Sequence, residues 1–190
     1  MLTFTNSLLL SMTLIAPTVA HATLSVQARN AAPPRMAGAP PHLSSSLRLV
    51  KREGVVVARF WFVSRQAKIA ECPDSDRVNF CQLGAGSTVG IVQFASTWRD
   101  YRDQVVPAGT YVVRYAIQPR LKDHIGTTKY RDFLVLDCRG PDQHPFVMAL
   151  LPASSAAGRP TMNGVVMETE IGAIRAGIVF EGTGNLEGTD

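Results

Sequence analysis

Three observations predict an all-β fold, an antiparallel β-sandwich of about eight strands, with an open barrel as the alternative. Short runs rich in Val, Ile, Tyr, Phe and Trp recur along the chain, as in VVVARFWFV at 55 to 63 and GTYVVRYAI at 109 to 117. Turn signals such as Arg52-Glu53-Gly54 and Pro107-Ala108-Gly109 separate them. No stretch sustains the apolar period of a long amphipathic helix, and many short strands between regular turns favour two packed antiparallel layers.

The first 22 residues, MLTFTNSLLLSMTLIAPTVAHA, carry no charged side chain, hold an apolar run from Leu8 to Val19 and end in Ala20-His21-Ala22. This is the pattern of a secretory signal peptide, although only the chain's amino group supplies the expected positive start. The run is too short to span a bilayer. Residue 23 is Thr, so no lipid-accepting Cys follows the cleavage site. The expected location is periplasmic or secreted, with no stable membrane insertion after cleavage. Taking these 22 residues from the chain of 190 leaves 168, which bear the whole formal charge of +4. One domain of that size buries roughly 70% of its unfolded surface without metals or many disulfides. The basic excess is spread through the sequence, as on a solvated surface, and nucleic acid is not an expected partner.

Residues 23 to 46 shift to Ala, Pro, Ser and Gly, with Pro-Pro at 33-34 and 40-41, and predict a disordered, exposed tether. The β-sandwich domain is expected over 47–181. Leu47 to Lys51 and Val55 to Val63 form a hairpin. In its second strand Val55, Val57, Arg59, Trp61 and Val63 alternate with Val56, Ala58, Phe60 and Phe62. Both faces are largely apolar, which predicts a central strand with one face in the core and the other partly covered.

Ser64 to Leu83 lacks a period and reads as a long stapled loop. The glycines at 84, 86 and 90 do not make a phosphate loop, because no strand precedes them, no helix follows and the required Lys is absent. They lead into a strand at Val89 to Ala95. Thr97 to Gln104 predicts a short helical turn packing Trp98 and Tyr101 at the domain's edge. Thr110 to Ile117 places Tyr111, Val113, Tyr115 and Ile117 on a core-facing side, and Pro119 ends the strand. Tyr130 to Cys138, Phe146 to Leu151, Val165 to Ile171 and Ala173 to Phe180 complete the set, with Gly172 as a turn or bulge. Residues 182–190 are a flexible tail.

Three cysteines, Cys72, Cys81 and Cys138, reach an oxidising compartment. The simplest pairing is Cys72 with Cys81, closing a small loop around PDSDRVNF and contributing about 2 to 3 kcal/mol in the chain-entropy model. Cys138 is then a buried strand-end hydrophobe, or an exposed thiol available to a second chain. Non-reducing peptide mapping is expected to recover the Cys72 and Cys81 peptides joined. Cys138 joined to either would refute the pairing.

The densest polar grouping is Asp123-His124, Tyr130-Arg131-Asp132, Asp137 and Asp142-x-His144. A strand of about eight residues spans roughly 25 Å, so the outer pairs do not converge on one ion. The ligand-binding candidates are Asp123, His124, Tyr130, Arg131 and Asp132. The plainer reading has Asp123 and His124 capping a turn while Arg131 and Asp132 make structural salt bridges and backbone hydrogen bonds. The alternative function is a metal-binding module or metal-dependent hydrolase built on the Asp123-His124 loop. No catalytic residue is assigned, since no nucleophile elbow, HExxH or Cys-His spacing occurs, and no cofactor is expected.

GTYVVRYAIQP at 109 to 119, DHIG at 123 to 126 and YRDFLVL at 130 to 136, with a looser extension back to Val89, are similar to a pattern in uncharacterised exported proteins of environmental bacteria. The Pro-x-Gly-x-Tyr opening at 107 to 111 also resembles transthyretin-like and carboxypeptidase-regulatory-like sandwich modules. These resemblances imply a sandwich fold and a bacterial envelope location, and carry no catalytic residue onto the chain. The resulting expectation is an exported, non-enzymatic domain that binds an envelope protein, a glycan or a small ligand through loops at one sheet end.

Overall fold

The apolar runs become strands that pair in sequence order for most of the chain. The computed structural model describes residues 23–65, 77–100, 103–119, 130–136, 145–156 and 164–182. Within them the strands are β1 (Leu24–Asn30), β2 (Leu43–Arg52), β3 (Val55–Val63), β4 (Thr88–Phe94), β5 (Trp98–Arg99), β6 (Val105–Val106), β7 (Gly109–Ile117), β8 (Asp132–Leu136), β9 (Phe146–Pro152), β10 (Gly164–Ile171) and β11 (Ile174–Glu181). A 3-10 turn at Cys81–Leu83 and a short helix, α1 (Ala153–Ala156), are the helical pieces among the described residues.

Nine strands share one antiparallel ladder in the order β1-β2-β3-β4-β7-β8-β9-β11-β10, while β5 and β6 pair separately. The ladder curls until its ends nearly meet. Arg48 Nε on β2 donates to the Glu168 carbonyl on β10 at 3.0 Å. The Gly172 amide, in the turn between β10 and β11, donates to the Val63 carbonyl at 2.7 Å. The molecule is therefore all-β and antiparallel, as the sequence predicts, and takes the form of one large, nearly closed sheet.

The tether expected over 23–46 is corrected by the structure. Leu24–Asn30 is a strand whose register runs from Leu24 opposite Arg52 to Asn30 opposite Ser46. Leu24 is buried and Val26 packs against the core. Main-chain pairing with β2 holds this segment, and its weak apolar alternation gave little sign of it. Residues beyond β1 also stay on the domain. The Ala31 carbonyl accepts from Trp61 Nε1 at 3.0 Å, and Met36 and Ala39 pack against Leu47, Leu49, Trp61 and Ile91.

That small outer cluster covers one face of β3, while Phe60 and Phe62 on the other enter the main core. The two-sided burial expected for this strand is thus present. A register shift pairs Val50 with Ala58 but Lys51 with Val56. The extra residue is Val57, which joins Ala58 in the main core instead of alternating with it.

The main core is aromatic at its centre. Phe180 meets Phe60 edge-on at 5.7 Å and lies 4.8 Å from Trp98, while Phe94 meets Phe146 edge-on at 6.1 Å. Such pairs add about 0.5 to 1.5 kcal/mol each beyond area burial. Trp98 is accordingly fully buried, not at the domain's edge. The expected helical turn at Thr97 to Gln104 is replaced by the β5–β6 hairpin. Asp100 Oδ1 accepts from the Gln104 amide at 2.8 Å, and the Asp100 amide donates to the Gln104 carbonyl at 3.0 Å. The Asp side chain builds the turn, and β-branched Val105 and Val106 favour the extended return.

Candidate functional site

Of the residues singled out from sequence, Asp123 and His124 lie outside the described residues, as do Asp137, Asp142 and His144. Tyr130, Arg131 and Asp132 stand at the start of β8. Asp132 is completely buried. Its Oδ2 accepts from the Asn79 amide at 2.8 Å and from Asn79 Nδ2 at 3.2 Å. Its Oδ1 accepts from the Phe80 amide at 3.2 Å and from the Tyr115 hydroxyl at 2.7 Å. An ionised carboxylate offers about four acceptor sites, and the chain's own donors take up that capacity.

Asp132 thus braces the fold, tying residues 79 and 80 to β7 and β8, instead of presenting itself to a ligand. Arg131 joins the same brace. Its amide donates to the Arg77 carbonyl at 2.9 Å, its Nε donates to the Gln118 carbonyl at 2.8 Å, and its carbonyl accepts from the Gln118 amide at 2.9 Å. Burial first, then the hydrogen bond to Asp132 and that carboxylate's charge, push the Tyr115 phenol well above its ordinary range. Tyr115 therefore remains a protonated donor to Asp132. Tyr130, half-buried, flanks the brace.

Cys81 opens the 3-10 turn next to Phe80, is buried, and belongs to a disulfide. Cys72 and Cys138 both lie outside the described residues, so pairing with Cys72 stays a proposal for the mapping experiment above.

A second polar grouping escapes sequence reasoning. On β2, Leu47 and Leu49 face the outer cluster, whereas Val50 belongs to the main core. Alternation then puts Ser46 and Arg48 on the inward side with Val50. On β10, Met167 and Ile171 are in the main core, so Thr169 between them also turns inward and is buried. Ser44, Ser46, Arg48 and Thr169, with Phe62 and Ser64 beside them, line a cavity of about 130 Å³ at the mouth of the curled sheet.

The lining is rich in donors. Ser44 Oγ accepts from the Ser46 amide at 2.9 Å, and Ser46 Oγ accepts from Arg48 Nη1 at 2.9 Å. Both hydroxyls therefore keep a proton to give. Arg48 uses two of its five N–H groups, on Glu168 and Ser46. Ser64 Oγ donates to the His42 carbonyl at 2.8 Å and keeps lone pairs free to accept. Glu170 also borders the cavity, but it is exposed and stands opposite Arg175 in the β10–β11 register. Among the described residues no three His, Cys, Asp or Glu side chains gather as metal ligands would.

The sequence signal for this grouping was Ser-x-Ser-x-Arg at 44 to 48. A period of two polar residues reads equally well as a solvated strand face, and only the closure of the sheet shows it to be half-buried along a cavity. No family model, curated protein or solved structure matches this chain. The site rests on its own residues.

Proposed function

We propose that the protein is an exported, non-enzymatic binding domain that takes a small polar ligand at the mouth of its nearly closed sheet. One observation carries this reading: Ser46 and Arg48 on β2 share the face of the core residue Val50, Thr169 sits between the core residues Met167 and Ile171 on β10, and all three border a cavity instead of packed core. A charged or hydroxyl side chain turned inward is costly unless it is hydrogen-bonded. Such residues gain a use where a ligand can meet them, and the mouths of curled β-sheets are common ligand sites. The lining supplies hydroxyls, a guanidinium and a carboxylate at its rim, groups suited to holding and orienting a small molecule.

Export is supported by the leader-like residues 1 to 22, and cleavage after Ala22 would release a chain whose first strand begins intact at Leu24. The periplasm or the exterior is then where the ligand is met.

The test is amide chemical-shift mapping of the purified, isotope-labelled protein against small sugars, amino acids and organic acids. At least one class is expected to move the amides of Ser44 to Arg48, Ser64 and Thr169 to Gly172 in a saturable way. Saturable shifts confined to other parts of the sheet, or none from any class, would overturn the proposal.

A further inference from the structure

The chemistry of the same cavity identifies the class of ligand. We infer that the mouth of the sheet binds a small organic carboxylate, held through the guanidinium of Arg48; this rests on the cavity being a binding site at all. Three features of the lining lead there.

The first is charge. Arg48 bonds to two neutral acceptors, the Glu168 carbonyl and the Ser46 hydroxyl, and makes no ion pair among the described residues. Glu170 is the other charged residue at the cavity, but it points from an exposed register position and faces Arg175 across the β10–β11 pair. The positive charge of Arg48 is therefore the one the cavity offers to a ligand. A guanidinium held on a rigid strand pairs with a planar carboxylate through two parallel N–H···O bonds, the strongest hydrogen-bond geometry such a site can offer.

The second is donor supply. The hydroxyls of Ser44 and Ser46 each accept one bond from the chain and keep an O–H to donate. Two hydroxyl donors next to a guanidinium suit an acceptor-only group.

The third is the wall. Phe62 and Val63, both nearly fully buried, line the cavity beside the polar residues. An apolar wall suits the short hydrocarbon stem of an organic acid, and inorganic phosphate has no group to place there. The small volume limits the stem to a few carbons.

Titration with sodium propionate, followed by the amide shifts of residues 44 to 48 and 169 to 172, tests the inference at constant ionic strength. Propionamide, glucose and inorganic phosphate serve as comparison ligands. Propionate is expected to saturate these shifts, while propionamide, the same shape without the charge, binds at least about tenfold more weakly. Arg48→Lys keeps a positive charge but loses the planar fork, and should weaken propionate about tenfold. Because Arg48 also bonds across the sheet's seam, Ser46→Ala provides a second variant, expected to weaken propionate severalfold while leaving the seam bond to Glu168 intact.

Equal binding of propionamide and propionate would overturn the carboxylate assignment, as would undiminished affinity in a folded Arg48→Lys protein. Glucose or phosphate saturating these amides where propionate does not would sink the inference and leave the cavity standing as a binding site. If none of the four ligands moves these amides, the inference falls. The broader ligand set described above then decides the fate of the cavity itself.

Discussion

Replacing Asp132 with Ala is expected to lower the stability of the fold by about 3 to 5 kcal/mol, read as a shift of the urea unfolding midpoint. The magnitude follows from what the carboxylate leaves behind. Its removal strands the Phe80 amide and the Tyr115 hydroxyl in the buried interior, along with the Asn79 amide at its edge. A buried donor without a partner costs about 1 to 3 kcal/mol, and bonds to a charged acceptor are at the strong end. Asp132→Asn should be nearly as harmful, since its NH₂ group turns a donor toward groups that are themselves donors.

Tyr115→Phe removes only one arm and is expected to cost about 1 to 2 kcal/mol. Because the two residues share a bond, the double variant should cost less than the two single variants combined. A loss below about 1 kcal/mol for Asp132→Ala would mean that the brace does not hold the loop.

The same pair makes a prediction about pH. The folded-state pKa of Tyr115 is raised by burial and by Asp132. Its contribution is therefore complete below the ordinary phenol value of about 10 and is lost as pH climbs beyond it, because the unfolded chain ionises first. Thermal midpoints of the wild type should fall more steeply above pH 10 than those of Tyr115→Phe. Parallel curves would show that the phenol is not held in its protonated form.

How much of this was legible beforehand depends on where each interaction's partner lies in the chain. The apolar runs of β3 and β7 announce themselves because burial on a pleated surface selects β-branched and aromatic residues, whatever the neighbouring strand. β1 does not, since LSVQARN leaves Ser25, Ala28, Arg29 and Asn30 exposed and relies on main-chain bonds to β2. The β5–β6 hairpin was missed because its turn is built by one Asp100 side chain within a segment whose aromatics suggested a helical turn.

The role of Asp132 is not written in its neighbours along the chain. Its partners at Asn79 and Phe80 are 53 and 52 positions away, and no spacing rule links them. Ser44, Ser46 and Arg48 carry no distinguishing signal, because the alternation that turns polar residues toward a cavity in a curled sheet also displays them on a solvated strand. Inside and outside are decided by closure, and closure belongs to the ladder as a whole.

The second large effect is expected at Gly90, where Ala should cost about 2 to 3 kcal/mol despite adding only a methyl group. Gly90 lies in β4 opposite Phe62, next to a register irregularity between Thr88 and Gly90 in the pairing with β7. A Cβ there would sit 2.5 Å from the Trp61 carbonyl oxygen and 3.0 Å from Phe62 Cδ1. Neither can give way easily. The Trp61 carbonyl belongs to a central strand paired on both sides, and the Phe62 ring is stacked near Phe60 with centroids 6.1 Å apart.

The entropic gain from replacing Gly, about 0.4 to 1 kcal/mol, is too small to offset a clash of that kind. Gly54→Ala is the informative control. Gly54 has φ +85° and open space around its Cβ position, so its cost is conformational alone, about 1 to 2 kcal/mol. Equal urea midpoints for Gly90→Ala and wild type would show that β3 and β4 do not approach as closely as described. Because Phe62 is both the group that the added methyl would push and a wall of the cavity, whatever fraction of Gly90→Ala remains folded should also bind propionate more weakly. Gly54→Ala should leave that affinity unchanged, which separates a displaced cavity wall from a general loss of stability.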